Sequence, residues 1–440
     1  MNKDKKIHLI SINMGYGHHR AAYPLIDVSK EGLISVNNYD GIDPIEKKSW
    51  HEERKMYEKI SYLKKIPLLG DVIFNIMDYF QKIKPFYPKR DLSKPSTQQK
   101  YFYRKVKSGT GKQLVEKLNE NPLPFVSTFF VSTYFAEYYN YKGDVYCIVC
   151  DADISRAWAP LNPPSSPVIY LAPNKRVKER LKLYGVREKN IHITGFPLPK
   201  ENIGGRNKKI LKEDLKKRIC NLDPKGVYRK KYSKLINDYL GPISKEHENK
   251  KKLTITFAVG GAGAQRRLGV EILKKLKEKI SLGVVRLNLV AGSRDDVYQY
   301  FAKALDKQGL LKSDNVKIIF HKDKIKYFSL FNKVLRDTDI LWTKPSELTF
   351  YSGLGLPILM SEPIGSQEYH NREWLMAIGA GLDSKKISNI NEWLFDWLNS
   401  GWLAEAAMQG FLDAPSLGTY NIEDIVLKNK IQEIEDVHLL

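Results

Sequence analysis

The sequence predicts an α/β protein of two similarly designed domains, each a parallel sheet flanked by helices. Short apolar runs alternate with helix-patterned stretches, as the strands and crossovers of a parallel sheet do. A strand, a glycine turn and a helix start occur in succession twice, from Ile7 to Ala22 and again from Leu253 through Gly263. At 440 residues the chain is also too long for one ordinary domain.

The first domain is assigned to residues 1–199. It opens with the apolar run Ile7 to Asn13, which ends in Met14-Gly15-Tyr16-Gly17-His18-His19-Arg20. Residues 45–110 depart from the pattern. They are rich in Lys, Tyr and Phe, as in Phe86-Tyr87-Pro88-Lys89-Arg90 and Tyr101-Phe102-Tyr103-Arg104-Lys105, and read as helices and loops inserted on that domain. Strands resume at Phe125–Thr128, Val145–Cys150, Val168–Leu171 and Ile191–Thr194, with a helix at about Lys175–Tyr184.

Residues 200–252 are polar, Lys-rich and weakly periodic, which predicts a linker or insertion with one or two exposed helices. The second domain, 253–388, starts with Leu253–Val259 and continues with strands at Val284–Ala291, Val316–Phe320, Asp339–Trp342 and Pro357–Met360. The tail 389–440 carries Trp393, Phe395, Trp397 and Trp402 in helix-friendly sequence. Bulky aromatics in such a setting pack more often than they bind, so terminal helices docking across the two domains are expected.

Composition narrows the class. With 42% hydrophobic and 11% aromatic residues the chain can bury a sizeable core, which excludes disorder. A formal charge of +22 points to an anionic partner, a phosphorylated substrate, an anionic membrane surface or a nucleic acid, while much of the excess is Lys-rich helix surface that reads equally as solvated faces. No nucleic-acid motif accompanies the charge, so no nucleic acid is expected. Cys147 and Cys150 form a C-x-x-C spacing, but the third and last cysteine is Cys220, so a four-cysteine zinc site is excluded. Val145 to Cys150 reads as a buried strand instead, and the small odd count fits a reducing compartment. There is no signal-peptide core and no apolar run of about 18 residues. A cytoplasmic protein is expected, soluble or peripheral on the inner face of a membrane.

Both glycine turns fall where parallel strands end, the edge at which such sheets bind ligands. There glycine lets the backbone approach an anion, and the helix start supplies free N–H groups. Each turn is equally readable as a tight turn alone. Gly260-Gly261-Ala262-Gly263 lacks the full dinucleotide spacing, and neither turn ends in the Gly-Lys-Ser/Thr of a P-loop. His18, beside Gly15 and Gly17 and next to His19, suits a general base at neutral pH; its alternative is a capping or packing histidine. Polar residues concentrate in two later loops, Thr343 to Pro357 and Glu362 to Asn371. In the second loop Gln367, Glu368 and Asn371 lie within one helical turn, with Gln367 and Asn371 on one face. Amides and carboxylates of this kind suit the hydroxyls of a sugar.

These motifs carry a resemblance to GT-B fold glycosyltransferases of family 28, the group of the plant galactolipid synthases, bacterial diacylglycerol glucosyltransferases and the N-acetylglucosaminyltransferase of the lipid-linked peptidoglycan precursor. Lys344-Pro345, Leu348-Thr349, Gly355-Leu356-Pro357, Gln367-Glu368, Asn371 and Gly379-Ala380-Gly381 follow the family's nucleotide-sugar motif in order. Gly15-Tyr16-Gly17-His18 is similar to the family's glycine–histidine turn. Cys150-Asp151-Ala152-Asp153 with Trp158, and Ile193-Thr194-Gly195-Phe196-Pro197, resemble two further segments.

The resemblance implies two Rossmann-like domains facing a cleft, with the acceptor in the first and a nucleotide-sugar in the second. It implies an inverting hexosyltransferase using a UDP-sugar, with a lipid-linked or glycan acceptor and no cofactor or bound metal. His18 takes the role of base, with Asp151 or Asp153 in reserve or orienting it, and Gly15, Gly17 and His19 form the acceptor-side turn. Gly261, Ala262, Gly263 and Lys344 face the diphosphate, Glu347 holds the ribose, and Gln367, Glu368 and Asn371 hold the sugar. Ser346-Glu347 stands where the family has a glycine pair, and no acidic residue takes the family's ribose position, with Ser352 near it. Two alternatives remain beside transfer: a non-catalytic nucleotide-sugar-binding protein on the same fold, and a nucleotide-sugar epimerase.

Overall fold

The computed structural model describes residues 6–63, 82–248, 252–260, 263, 265–363 and 365–431, and the chain divides into two compact units. The first comprises Met1–Pro197, Ile364–Asn371 and Leu417–Leu440; the second comprises Leu198–Pro363 and Arg372–Ser416.

The first unit is built on a six-stranded parallel sheet: β1 (Ile7–Ser11), β2 (Ser29–Ser35), β3 (Phe125–Ser127), β4 (Val145–Ile148), β5 (Ile169–Ala172) and β6 (Ile191–Ile193). The order across it is β2-β1-β3-β4-β5-β6. Strands covered on both faces must be apolar throughout, and all residues of β1, β3 and β4 are buried. The later part of the chain finishes this core. Ile422, Ile425 and Val426 of the helix Gly418–Lys428 pack with Ile7, Leu9, Val126 and Leu171. Each such side chain removed from water contributes about 1.5–3 kcal/mol.

The second unit has its own six-stranded parallel sheet: β7 (Leu253–Ala258), β8 (Val285–Gly292), β9 (Val316–Phe320), β10 (Ile340–Thr343), β11 (Ile358–Met360) and β12 (Gly381–Asp383). The order is β12-β11-β10-β7-β8-β9. Counted from β7 this is the 3-2-1-4-5-6 order of a dinucleotide-binding sheet, with its reversal between β7 and β10. Trp342 of β10 is fully buried and meets Phe257 and Trp393 edge-on, with ring centroids 6.4 and 5.8 Å away. Trp397 tilts against Trp393 with centroids 4.8 Å apart, so of the tail aromatics Trp393 is packed inside while Trp402 is exposed.

Two regions differ from their sequence reading. Residues 200–252, expected as a polar linker, form the helices Lys200–Ile203, Lys209–Leu222, Val227–Lys231 and Ser233–Leu240 within the second unit. The Lys-rich composition hides a stripe of Leu211, Leu215, Ile219 and Leu222 at helical spacing, and all four are buried. The insertion supplies the helices Pro44–Leu63 and Thr97–Lys107, and the helix Lys112–Asn119 follows it. Its stretch 64–81 lies outside the described residues. Its aromatics divide: Phe86 and Tyr103 are buried, whereas Tyr87 and Tyr101 are exposed.

Helix Trp402–Asp413 crosses the buried 3-10 helix Glu347–Leu354 closely enough that a Cβ on Gly410 would stand 2.5 Å from the Ser352 carbonyl oxygen. Gly410→Ala is therefore expected to cost about 1–3 kcal/mol of stability as overpacking, read as a lower urea midpoint of the unfolding transition.

Candidate active site

In the first unit the sheet reverses its strand order between β1 and β3, and the loops after these two strands meet there. Gly15 adopts φ +101°, a conformation that glycine takes without strain, and turns the chain from β1 into the helix Gly17–Ala22. His18 follows. Its Nδ1 lies 2.5 Å from the Thr128 carbonyl oxygen, and the Thr128 hydroxyl donates to the His18 carbonyl at 2.9 Å. A carbonyl only accepts, so Nδ1 carries the proton and Nε2 of the neutral ring keeps its lone pair. Phe129 and Trp158 flank the imidazole, with centroids 5.4 and 6.4 Å away. His19, in contrast, is buried.

The loop after β4 holds Asp151 and Asp153, which have different surroundings. Asp151 Oδ1 accepts from Asn371 Nδ2 at 3.1 Å, while Asn371 Oδ1 accepts from the Ala152 amide at 2.7 Å. Asn371 is fully buried. Its amide is hydrogen-bonded at both ends to this loop, beside the half-buried residues that the sequence reading assigns with it to the sugar. Gln367 and Glu368, one turn earlier on the helix Ser366–Ala377, are half-buried.

Asp153, the other acid of this loop, is enclosed by cations. It is 1% exposed and clamped by Arg180 Nε and Nη2 at 2.8 and 2.7 Å and by Arg176 Nε at 2.9 Å. Phe86 of the insertion lies under the Arg176 guanidinium at 4.0 Å. Burial pushes the carboxyl pKa up, but the hydrogen bonds and charge of Arg180, with His370 and Arg176, hold it below the ordinary aspartate value. A carboxylate so neutralised is a poor proton acceptor and a structural anchor.

In the second unit the turn after β7 packs against its neighbours. A Cβ on Gly260 would stand 2.6 Å from Lys344 Cε, so the lysine stem lies flat on the glycine backbone. Gly263, at φ +66°, donates its N–H to the Gly260 carbonyl at 2.8 Å and lies beside Arg294 and Val297. Gly261 and Ala262 lie outside the described residues. Gln265 ties this turn to the end of β11, accepting from the Ser361 hydroxyl at 2.8 Å. Glu347, half-buried, starts the 3-10 helix Glu347–Leu354.

Sequence reasoning missed Arg294 here. It follows Gly292 at the end of β8 and pairs with Asp296 at 3.0 Å, as does Arg266. Partial burial raises the Asp296 pKa, and the two arginines more than offset it. A basic residue two positions after a strand's closing glycine, in Gly292-Ser293-Arg294, was the available signal. Lys344 and Arg294 thus flank a glycine turn at a parallel-sheet switch point, an arrangement suited to a diphosphate.

A family described as a domain of unknown function (DUF6938) matches residues 295–421. The chain is 23% identical to the processive diacylglycerol beta-glucosyltransferase of Bacillus pumilus (strain SAFR-032), over 99% of this chain and 95% of that one. It is 22% identical to the Bacillus subtilis (strain 168) protein of the same name, over 99% and 97%. Among solved structures, the S. aureus MnaA–UDP co-structure superposes with a TM-score of 0.51 at 12% identity, covering 99% of this chain and 100% of that one. The fold is of the GT-B kind, with two Rossmann-like domains. In sequence the chain is glycosyltransferase-like along its length, and the resemblance carried by its motifs stands.

The Asp153 clamp yields a test. Removing one partner of a buried ion pair costs about 3–5 kcal/mol, so Asp153→Asn should lower stability by that order at pH 7. Because the folded pKa is depressed, this stabilisation is full above the unfolded value of about 4 and is lost as pH falls through the lower folded value. Urea titrations at pH 7, 4 and 2 should show the gap between wild type and Asp153→Asn closing towards pH 2.

Proposed function

We propose that the protein transfers a hexose from a UDP-sugar to a hydroxyl of a lipid-linked or glycan acceptor, with inversion at the anomeric carbon. The observation that carries this reading is the bond from His18 Nδ1 to the Thr128 carbonyl, which leaves Nε2 as the basic nitrogen. The name of the full-length relatives, diacylglycerol glucosyltransferases, supports the reaction class and favours a lipid acceptor.

In this reading His18 Nε2 takes the acceptor hydroxyl's proton while that oxygen bonds the anomeric carbon. The bond from that carbon to the diphosphate breaks, and UDP leaves with the electron pair. Lys344, Arg294 and the N–H groups of the glycine turn take up the charge on the leaving group. Glu347 holds the ribose, Gln367 and Glu368 hold the sugar, and Asn371 fixes Asp151 beside the reaction. The basic insertion, with Tyr87 and Tyr101 exposed, faces an anionic bilayer in this reading, each Lys or Arg near the surface contributing about 1 kcal/mol.

The test has two stages. UDP is expected to raise the melting temperature, since a ligand at about 100 times its Kd adds about 2.7 kcal/mol to the folded state. One UDP-sugar should raise it further, and Lys344→Ala should diminish both shifts. His18→Ala should then cut transfer to diacylglycerol about 10²–10⁴-fold while leaving the UDP shift intact. A UDP shift with no transfer in either protein would favour a non-catalytic binder, and no shift with any nucleotide would end the donor reading.

A further inference from the structure

The sheet of the second unit has a second site-like feature at its other edge. A cavity of about 610 Å³ opens where its strands begin, lined by Lys252 and Thr254 at the start of β7, Arg286 of β8 and Asp339 before β10. Thr254 lies in register with Arg286, so these side chains stand together on one face. The helix Lys209–Leu222 brings Lys217 and Arg218 to the same cavity, and the helix Lys324–Leu335 brings Lys333.

Its lining is unusually polar for the covered face of a parallel sheet, which ordinarily carries only aliphatic side chains. Arg218, Thr254, Thr338 and Asp339 are each no more than 4% exposed. Deeper in, Asn288 donates to Thr256 at 3.1 Å, and Thr256 meets Thr338 at 2.7 Å. Burying such groups costs stability relative to apolar ones of the same shape, so packing alone gives no reason for them.

The charge is unbalanced. Arg218 bonds only carbonyl oxygens, those of Thr338 at 2.7 Å, Leu354 at 2.8 Å, Gly355 at 3.1 Å and Leu335 at 3.2 Å. Carbonyls satisfy its N–H groups and leave its positive charge. Of the three lining acids, Asp214 is paired with Arg336 at 2.9 Å, and Asp339 accepts from Asn221 and the Thr254 amide. Asp337 is the third. Six basic side chains line the same space. Among the described residues Lys217, Lys333 and Arg286 have no carboxylate partner, and Arg286 Nε is buried without a hydrogen bond.

We propose that this cavity binds a small phosphate-bearing anion, at the edge of the sheet opposite the nucleotide turn. A guanidinium and two lysines without carboxylate partners are what a multiply charged phosphate needs. The volume lies within the range of small-molecule sites, about 300–1,000 Å³. Arg218 joins the cavity floor to the Leu354 and Gly355 carbonyls, which close the 3-10 helix that Glu347 opens. Occupancy therefore bears on the element carrying the proposed ribose contact. The binding proposal itself does not depend on the transferase reading.

The test is calorimetric titration of the full chain carrying Lys344→Ala with inorganic pyrophosphate at low ionic strength. Saturable binding is expected, weakened at least tenfold by Arg286→Gln and by Lys333→Glu. Lys333 is exposed, so its variant keeps the test valid should Arg286→Gln fail to fold. Sedimentation with phosphatidylglycerol vesicles separates the two sources of phosphate. Loss of vesicle binding in the same variants, with pyrophosphate inert, would assign the site to a lipid headgroup. Unchanged affinity for both probes in both variants would overturn the proposal.

Discussion

Parallel strands send every connection that follows them to the same edge, and this constraint organises the whole chain. Because β7, β8, β10 and β11 all run one way, the glycine turn, Arg294, Lys344 and Ser361 must gather at one side of the sheet, though they are far apart in sequence. His18 and Thr128 meet in the first unit for the same reason, 110 residues apart. The sheet requires little of these loops beyond glycine where the chain must turn sharply. Their side chains are left free for chemistry.

Buried charge is handled in two ways. Asp153 is held in a buried group with Arg176, Arg180 and the Ile154 amide, and the face of Phe86 lies against both guanidinium groups. That group fastens the insertion to the sheet and fixes the loop bearing Asp151. Arg218 is held by carbonyls with no directly bonded acid. The first charge is met by directly bonded ions, and the second by carbonyls with Asp214, Asp337 and Asp339 acting from a distance. The two are equally buried and differ in what they do to their surroundings.

Much of this was legible in the sequence. The long apolar runs of β1, β4, β7 and β8 announced themselves because a strand covered on both faces has no other composition available. Two of the four edge strands, β6 and β9, were read as well, but β2 and β12 were not. Ser29–Ser35 carries Lys30, Glu31 and Gly32, and Gly381–Asp383 has three residues, so neither offers a period to read. The turns around His18 and Gly263 were found through their glycines. The surroundings of Asp153 and Asn371 were not, since both depend on partners distant in sequence: Arg176 and Arg180 for the first, Asp151 for the second. Residues 200–252 misled because average polarity outweighed a four-residue apolar stripe.

The helix Gly418–Lys428 completes the core that Ile7 and Leu9 begin. During synthesis the first unit therefore cannot close when its own sheet has emerged from the ribosome. It must wait, with that apolar surface uncovered, until more than two hundred further residues have been made. The second unit, whose chain is complete by Ser416, is free to fold first.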